Sequence, residues 1–101
     1  EIFVPTINRI TGKPVKTKFH KKWDEKVNAV VGGLTIMPPT KGRWKSPTGE
    51  IFIDRMIPVR IAATKAQIEL IMDVTLEHYN ELAVMCYLVS NEVMVRYASK
   101  S

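Results

Sequence analysis

One cysteine, Cys86, stands alone in this sequence, so no disulfide can form within the chain. Its neighbours are apolar, which marks a buried, unreactive thiol rather than a nucleophile. An unpaired thiol fits a reducing setting, and a cytoplasmic location is expected. Long apolar runs are missing too: none approaches the roughly 20 residues that span a bilayer, so no membrane partner is expected. No signal-peptide pattern opens the chain, because Glu1 leads into a polar segment within a few residues. The lack of an initiator Met suggests a processed or trimmed chain. Metal-ligand spacing is absent, since His20 and His78 are lone histidines 58 positions apart. Gly32-Gly33 lacks the Lys and Ser/Thr of a phosphate loop. No serine sits in a nucleophile elbow. Repeats and low-complexity segments do not occur.

What is present describes one domain over residues 1–101 with one core, since 46 % of the residues are hydrophobic. The net charge of +5 favours anionic partners. It is unevenly spread. Between Arg9 and Lys26 seven cations face two anions, while Glu69, Asp73, Glu77 and Glu81 make a later segment acidic. Aromatic residues do not alternate with the cations as on a single-strand stacking platform. No nucleic-acid polymer is therefore expected, and a small phosphate ligand fits the charge at least as well.

Residues 1–6, EIFVPT, read as a short strand stopped by Pro5, with a loop over 8–14. Thr17 is placed to cap a helix whose Phe19, Trp23, Val27, Val30 and Val31 share a face. Gly32-Gly33 is expected to end it in a left-handed cap. Residues 34–37 form a short strand stopped by Pro38 and Pro39. A turn over 40–42 and a strand over 43–45 follow. SPTG at 46–49 is a second turn. Residues 50–62 are the longest strand, with Ile51, Ile53, Ile57, Val59 and Ile61 on one face. Phe52, Asp54, Met56, Pro58 and Arg60 share the other face. Pro58 cannot donate to a ladder, so an edge position or a bulge is expected there. Thr64 caps a helix over 65–82, with Leu70 and Val74 outside its core stripe. Strands are expected over 83–90 and 93–98. This order predicts an α+β, ferredoxin-like sandwich: an antiparallel sheet with two helices on one face.

Catalytic groups are not evident. Glu50 and Asp54 would lie about 13 Å apart on a strand, too far to share a proton. Binding groups are better represented. Trp23 falls on the core stripe of the first helix. Trp44 lies in a turn-rich segment and serves either as a core lid or as a stacking surface. Asn80 closes the second helix, as a cap or as part of a pocket wall with His78 and Tyr79. Arg96 sits within an otherwise apolar terminal strand, where a guanidinium requires an anion from the protein or from a ligand.

The segments FVPTINRITGKP, VVGGLTIMPPTKGRW, GEIFIDRMIPV and HYNELAVMCYLVSNEV resemble a family of small bacterial and phage proteins. The layout is also similar to the Thoeris anti-defence sponge family of phages. That family sequesters cyclic ADP-ribose isomers, and some members hold cyclic oligonucleotides at a separate site. The resemblance implies a homo-oligomer, a trimer or a dimer of trimers, binding a cyclic nucleotide at a subunit border without cleavage. It implies no cofactor, no metal and no catalytic residue. Asn80 and Arg96 fall where polar ligand contacts are expected, with Trp44, Trp23 and His78 as further wall residues. The family's aromatic contact has no counterpart, the nearest helical position being Leu70. Lys16, Lys18 and Lys21 are candidates, by charge, for a second phosphate site. Two alternatives stand beside this reading. One is a phage S-adenosylmethionine lyase-like enzyme, with Trp44 at the expected Tyr and Glu50 or Asp54 as the acid. The other is a protein-binding inhibitor. The sponge reading depends on Arg96 meeting a diphosphate between copies.

Overall fold

Eleven residues of alternating character, Ile51–Ile61, form the strand on which the sheet is built. The computed structural model describes residues 1–99. In chain order it contains β1 (Ile2–Pro5), α1 (Thr17–Asn28), β2 (Leu34–Ile36), β3 (Thr40–Lys45), β4 (Ile51–Ile61) and α2 (Lys65–Tyr79). β1 runs antiparallel along one side of β4, with Ile2 opposite Val59 and Pro5 opposite Met56. β2 and β3 share the other side, β2 against residues 59–61 and β3 against 51–56. The result is the expected α+β architecture, a four-stranded antiparallel sheet with two helices, consistent with a ferredoxin-like description.

Pro58 is therefore central rather than at an edge. On the β2/β3 side its carbonyl accepts from Met37 N at 2.9 Å. In an antiparallel ladder a residue's N and O point the same way. The missing N–H thus faces the break at Pro38-Pro39 between β2 and β3, where no strand residue is paired. The prolines of the two strands are matched, and no bulge is needed. Thr40–Lys45 forms one strand, so the turn expected at 40–42 is not there.

The helices cover one face of the sheet and only part of its length. Ile2, Val4, Trp23, Val27, Val59 and Ile71 are the centre of the core. α2 begins with a complete capping box: Gln67 N donates to Thr64 Oγ1 at 3.2 Å, and Thr64 N to Gln67 Oε1 at 2.9 Å. It ends at Asn80, in the left-handed region with φ 52°. The cap expected at Gly32-Gly33 is absent, because α1 stops earlier, at a right-handed Ala29. Lys16, not Thr17, occupies the position before α1 and makes no side-chain cap.

The two C-terminal strands differ most from expectation. Tyr87 N donates to Glu1 O at 2.8 Å, Glu1 N to Tyr87 O at 2.7 Å, and Phe3 N to Met85 O at 3.1 Å. This single bridge, centred on Ile2 and Cys86, is all the pairing that residues 83–90 make. Residues 93–98 form no strand. Strand propensity needs an edge to pair with, and residues 93–98 pair with none among the described residues. Leu88, Met94 and Tyr97 are 81 %, 85 % and 87 % exposed. The chain measures 57 × 29 × 24 Å along its principal axes.

Candidate functional site

Two tryptophans were candidates, and the fold separates them. Trp23 lies in the seam between α1 and α2, 1 % exposed. Its indole N–H donates to Thr75 Oγ1 at 2.9 Å, and that hydroxyl donates to the Ile71 carbonyl at 2.6 Å. A ring so enclosed, with its one donor used, presents nothing to a ligand. His78 belongs to the same seam. Its Nε2 donates to the Phe19 carbonyl at 2.8 Å, and Lys26 Nζ donates to its Nδ1 at 3.0 Å. The Phe19 ring stacks on it at 4.1 Å. Burial pushes the His78 pKa down, and Lys26 and Lys22 add to this against the raising effect of the Phe19 bond. His20 Nδ1 meets Tyr79 Oη at 2.6 Å. Burial lowers the His20 pKa, with Asp24 opposing and His78 reinforcing the shift. The seam thus works with neutral imidazoles as hydrogen-bonded clips. Trp23 and His78 are structural residues, not pocket walls.

Trp44 lies on the opposite face of the sheet, left bare by the helices. The register puts Thr40, Gly42 and Trp44 of β3 beside Met56, Asp54 and Phe52 of β4. Phe3 and Pro58 are paired on the same face. Tyr87 adds its ring edge-on to Phe3 at 5.5 Å. Between these groups is a cavity of about 650 Å³, lined among others by Phe3, Trp44, Met56, Pro58, Arg60 and Tyr87. That volume falls within the usual range for small-ligand sites. Trp44 Nε1 is buried and has no hydrogen-bond partner among the described residues. A desolvated N–H without a partner is costly, on the order of 1–3 kcal/mol, so an arriving acceptor is favoured there. Gly42 makes room for this packing, since a Cβ at that position would collide with the terminal methyl of Met56. At the rim, Arg60 Nε is paired to Glu1 Oε2 at 3.0 Å and is still about half exposed. It adds positive charge to the site, whose lining also includes Lys41 and Arg43.

A smaller cavity of about 320 Å³ adjoins the first and shares Trp44, Phe3 and Met56 with it. Asp54, Glu81 and Arg9 also line it. Burial raises the Glu81 pKa; Arg9 counters this and Asp54 adds to it. Arg9 Nε also donates to the Asn80 carbonyl. Asn80 is therefore engaged as a helix cap, exposed and outside the cavity beside Trp44.

Arg96 is exposed, on a segment without strand pairing, and forms no ion pair among the described residues. The buried strand guanidinium expected from the sequence is not there, and the sponge reading loses that support. Lys16, Lys18 and Lys21 are exposed around the first turns of α1, which has no acidic residue in its first turn. None of the three lines the cavity beside Trp44. Among the described residues no three metal-ligating groups converge, and no helix is long and apolar enough to cross a membrane.

Sequence reasoning did not single out Phe3, Met56, Arg60 or Tyr87. Alternation along β4 already grouped Met56, Pro58 and Arg60. Which face the helices would leave open was not marked. Compared with family models, curated proteins and solved structures, the chain matches none.

Proposed function

We propose that this chain is a non-catalytic binding protein for a small ligand with a flat ring and negative charge, taken up on the open face of the sheet. A cyclic nucleotide messenger of the cyclic ADP-ribose type is the ligand that the sequence resemblance favours. The chain would then be a phage anti-defence sponge acting in the host cytoplasm. The observation that carries this reading is the cavity around Trp44, with its orphaned indole N–H. Phe3, Trp44 and Tyr87 supply ring surface, and the indole N–H supplies a donor for a base or ribose acceptor. Arg60, released from Glu1, supplies a guanidinium for a phosphate. The form of the sponge reading that depends on Arg96 meeting a diphosphate between copies falls with that residue's exposure; in this proposal Arg60 at the cavity rim takes the guanidinium role.

Calorimetry with cyclic ADP-ribose isomers tests it. Binding is expected, with the ligand recovered intact after denaturation and with loss of heat in Trp44→Ala and Arg60→Ala. Absence of heat with every nucleotide refutes it.

One observation favours a second reading. Trp44, Asp54 and Glu81 line the smaller cavity, a ring and two carboxyl groups available to a sulfonium cation, with Arg9 and Arg55 beside them. The S-adenosylmethionine lyase-like alternative that the sequence resemblance offers would place Trp44 and Asp54 at its substrate. Chromatography of S-adenosylmethionine after incubation decides it, since an unchanged peak rejects the lyase.

A further inference from the structure

The far end of the β3–β4 hairpin is an arm with no helix over it. On the arm's face opposite Trp44, the register places Lys41 directly across from Arg55, with Arg43 across from Ile53 and Lys45 across from Ile51. All six residues are exposed. Like charges directly opposite on neighbouring strands repel, and none of these four cations has a carboxylate partner among the described residues. A two-stranded ribbon with two bare isoleucines and four bare cations is marginal by itself. The face calls for a surface that is both acidic and apolar.

The same chain carries one. Glu69, Asp73 and Glu77 descend the exposed side of α2 at four-residue spacing, beside Leu70, which is 50 % exposed, and half-buried Val74. These carboxylates also lack cationic partners among the described residues. The spacings agree. Lys41, Arg43 and Lys45 recur every ~6.8 Å along a strand, and carboxylates four apart recur every ~6 Å along a helix. Within one chain the two surfaces do not meet, for α2 and β3 have no Cα atoms within 8 Å of one another. We infer that the arm of one copy docks on α2 of a second copy, cations against carboxylates and Ile51 and Ile53 against Leu70 and Val74. The contact is heterologous, so each copy offers both an arm and a helix. A nucleic acid would match the cations but would leave the isoleucines bare and the acidic stripe unused.

Charge exchange tests this directly. Sedimentation velocity should show the wild-type chain self-associating, less so as salt is raised. The triple variants K41E/R43E/K45E and E69K/D73K/E77K should each self-associate roughly 100-fold more weakly, as expected for like charges brought together. Mixed, the two should re-associate in equal proportion, since each pairing then joins opposite charges. Should either triple variant melt early, Arg43→Glu and Asp73→Lys, both at exposed positions, carry the same expectation. A monomeric wild type, unchanged variants, or a mixture no more associated than its parts would overturn the inference. So would a monomeric wild type whose arm variant loses affinity for DNA.

Discussion

The helical side of the sheet and its open side handle polar groups in opposite ways. In the seam between α1 and α2, the Trp23 N–H, the Thr75 hydroxyl and both nitrogens of His78 have partners. On the open side Trp44 keeps a buried donor with no partner, beside the rings of Phe3 and Tyr87 around a cavity. A satisfied seam holds the fold, whereas an unsatisfied face is where a partner gains most. The two tryptophans, indistinguishable by residue type, should therefore respond in opposite ways to truncation.

Trp23→Ala should cost about 3–5 kcal/mol, because it opens a cavity and strands the Thr75 hydroxyl. Chemical denaturation reads this directly, and it is the largest effect expected in the molecule. Removing the Thr64 side chain should cost about 1 kcal/mol through loss of the capping box, with binding on the open face unchanged. Trp44→Phe should leave stability within about 1 kcal/mol of wild type, since it deletes an orphaned donor while keeping a ring. Ligand affinity should nevertheless fall. If Trp44→Phe destabilised the chain as much as Trp23→Ala, the contrast between the two faces would be broken.

Acid sharpens the comparison further. His20 and His78 have folded pKa values below the ordinary 6.5. The unfolded chain therefore binds protons that the folded chain excludes. Their contribution is complete above the unfolded value and is lost as pH falls through the folded values. The melting temperature should hold above pH 6.5 and decline below it. His78→Gln should flatten that decline, as thermal scans across the range would show.

Much of the architecture was readable from periodicity. The β4 face expected from Ile51, Ile53, Ile57, Val59 and Ile61 turns to the core only from Ile57 onward, with Ile51 and Ile53 exposed; on α1, Trp23 and Val27 are buried as expected while Phe19 is exposed. Thr64 as a helix cap was equally legible, because a cap is local, while Gln67's part in the capping box emerged only from the structure. The ends of the chain were not. AVMCYLVS and VMVRYA have strand composition, yet pairing requires a neighbour, and composition does not say whether one exists. Pro58 misled for the same reason: its place in the sheet depends on a break in a different strand. The candidate site was half legible. Trp44 was marked by its turn-rich surroundings, but Phe3 and Tyr87 join it only through the sheet, at residues far apart in sequence. Arg96 looked buried only because its flanks are apolar.

Hydrogen exchange in the presence and absence of cyclic ADP-ribose tests the central claim most directly, since it reports where a ligand sits as well as whether it binds. New protection is expected at Thr40–Lys45 and around Phe3 and Tyr87, with the α1–α2 seam unchanged. Protection confined to the first turn of α1, or no change anywhere on the open face, would contradict the account.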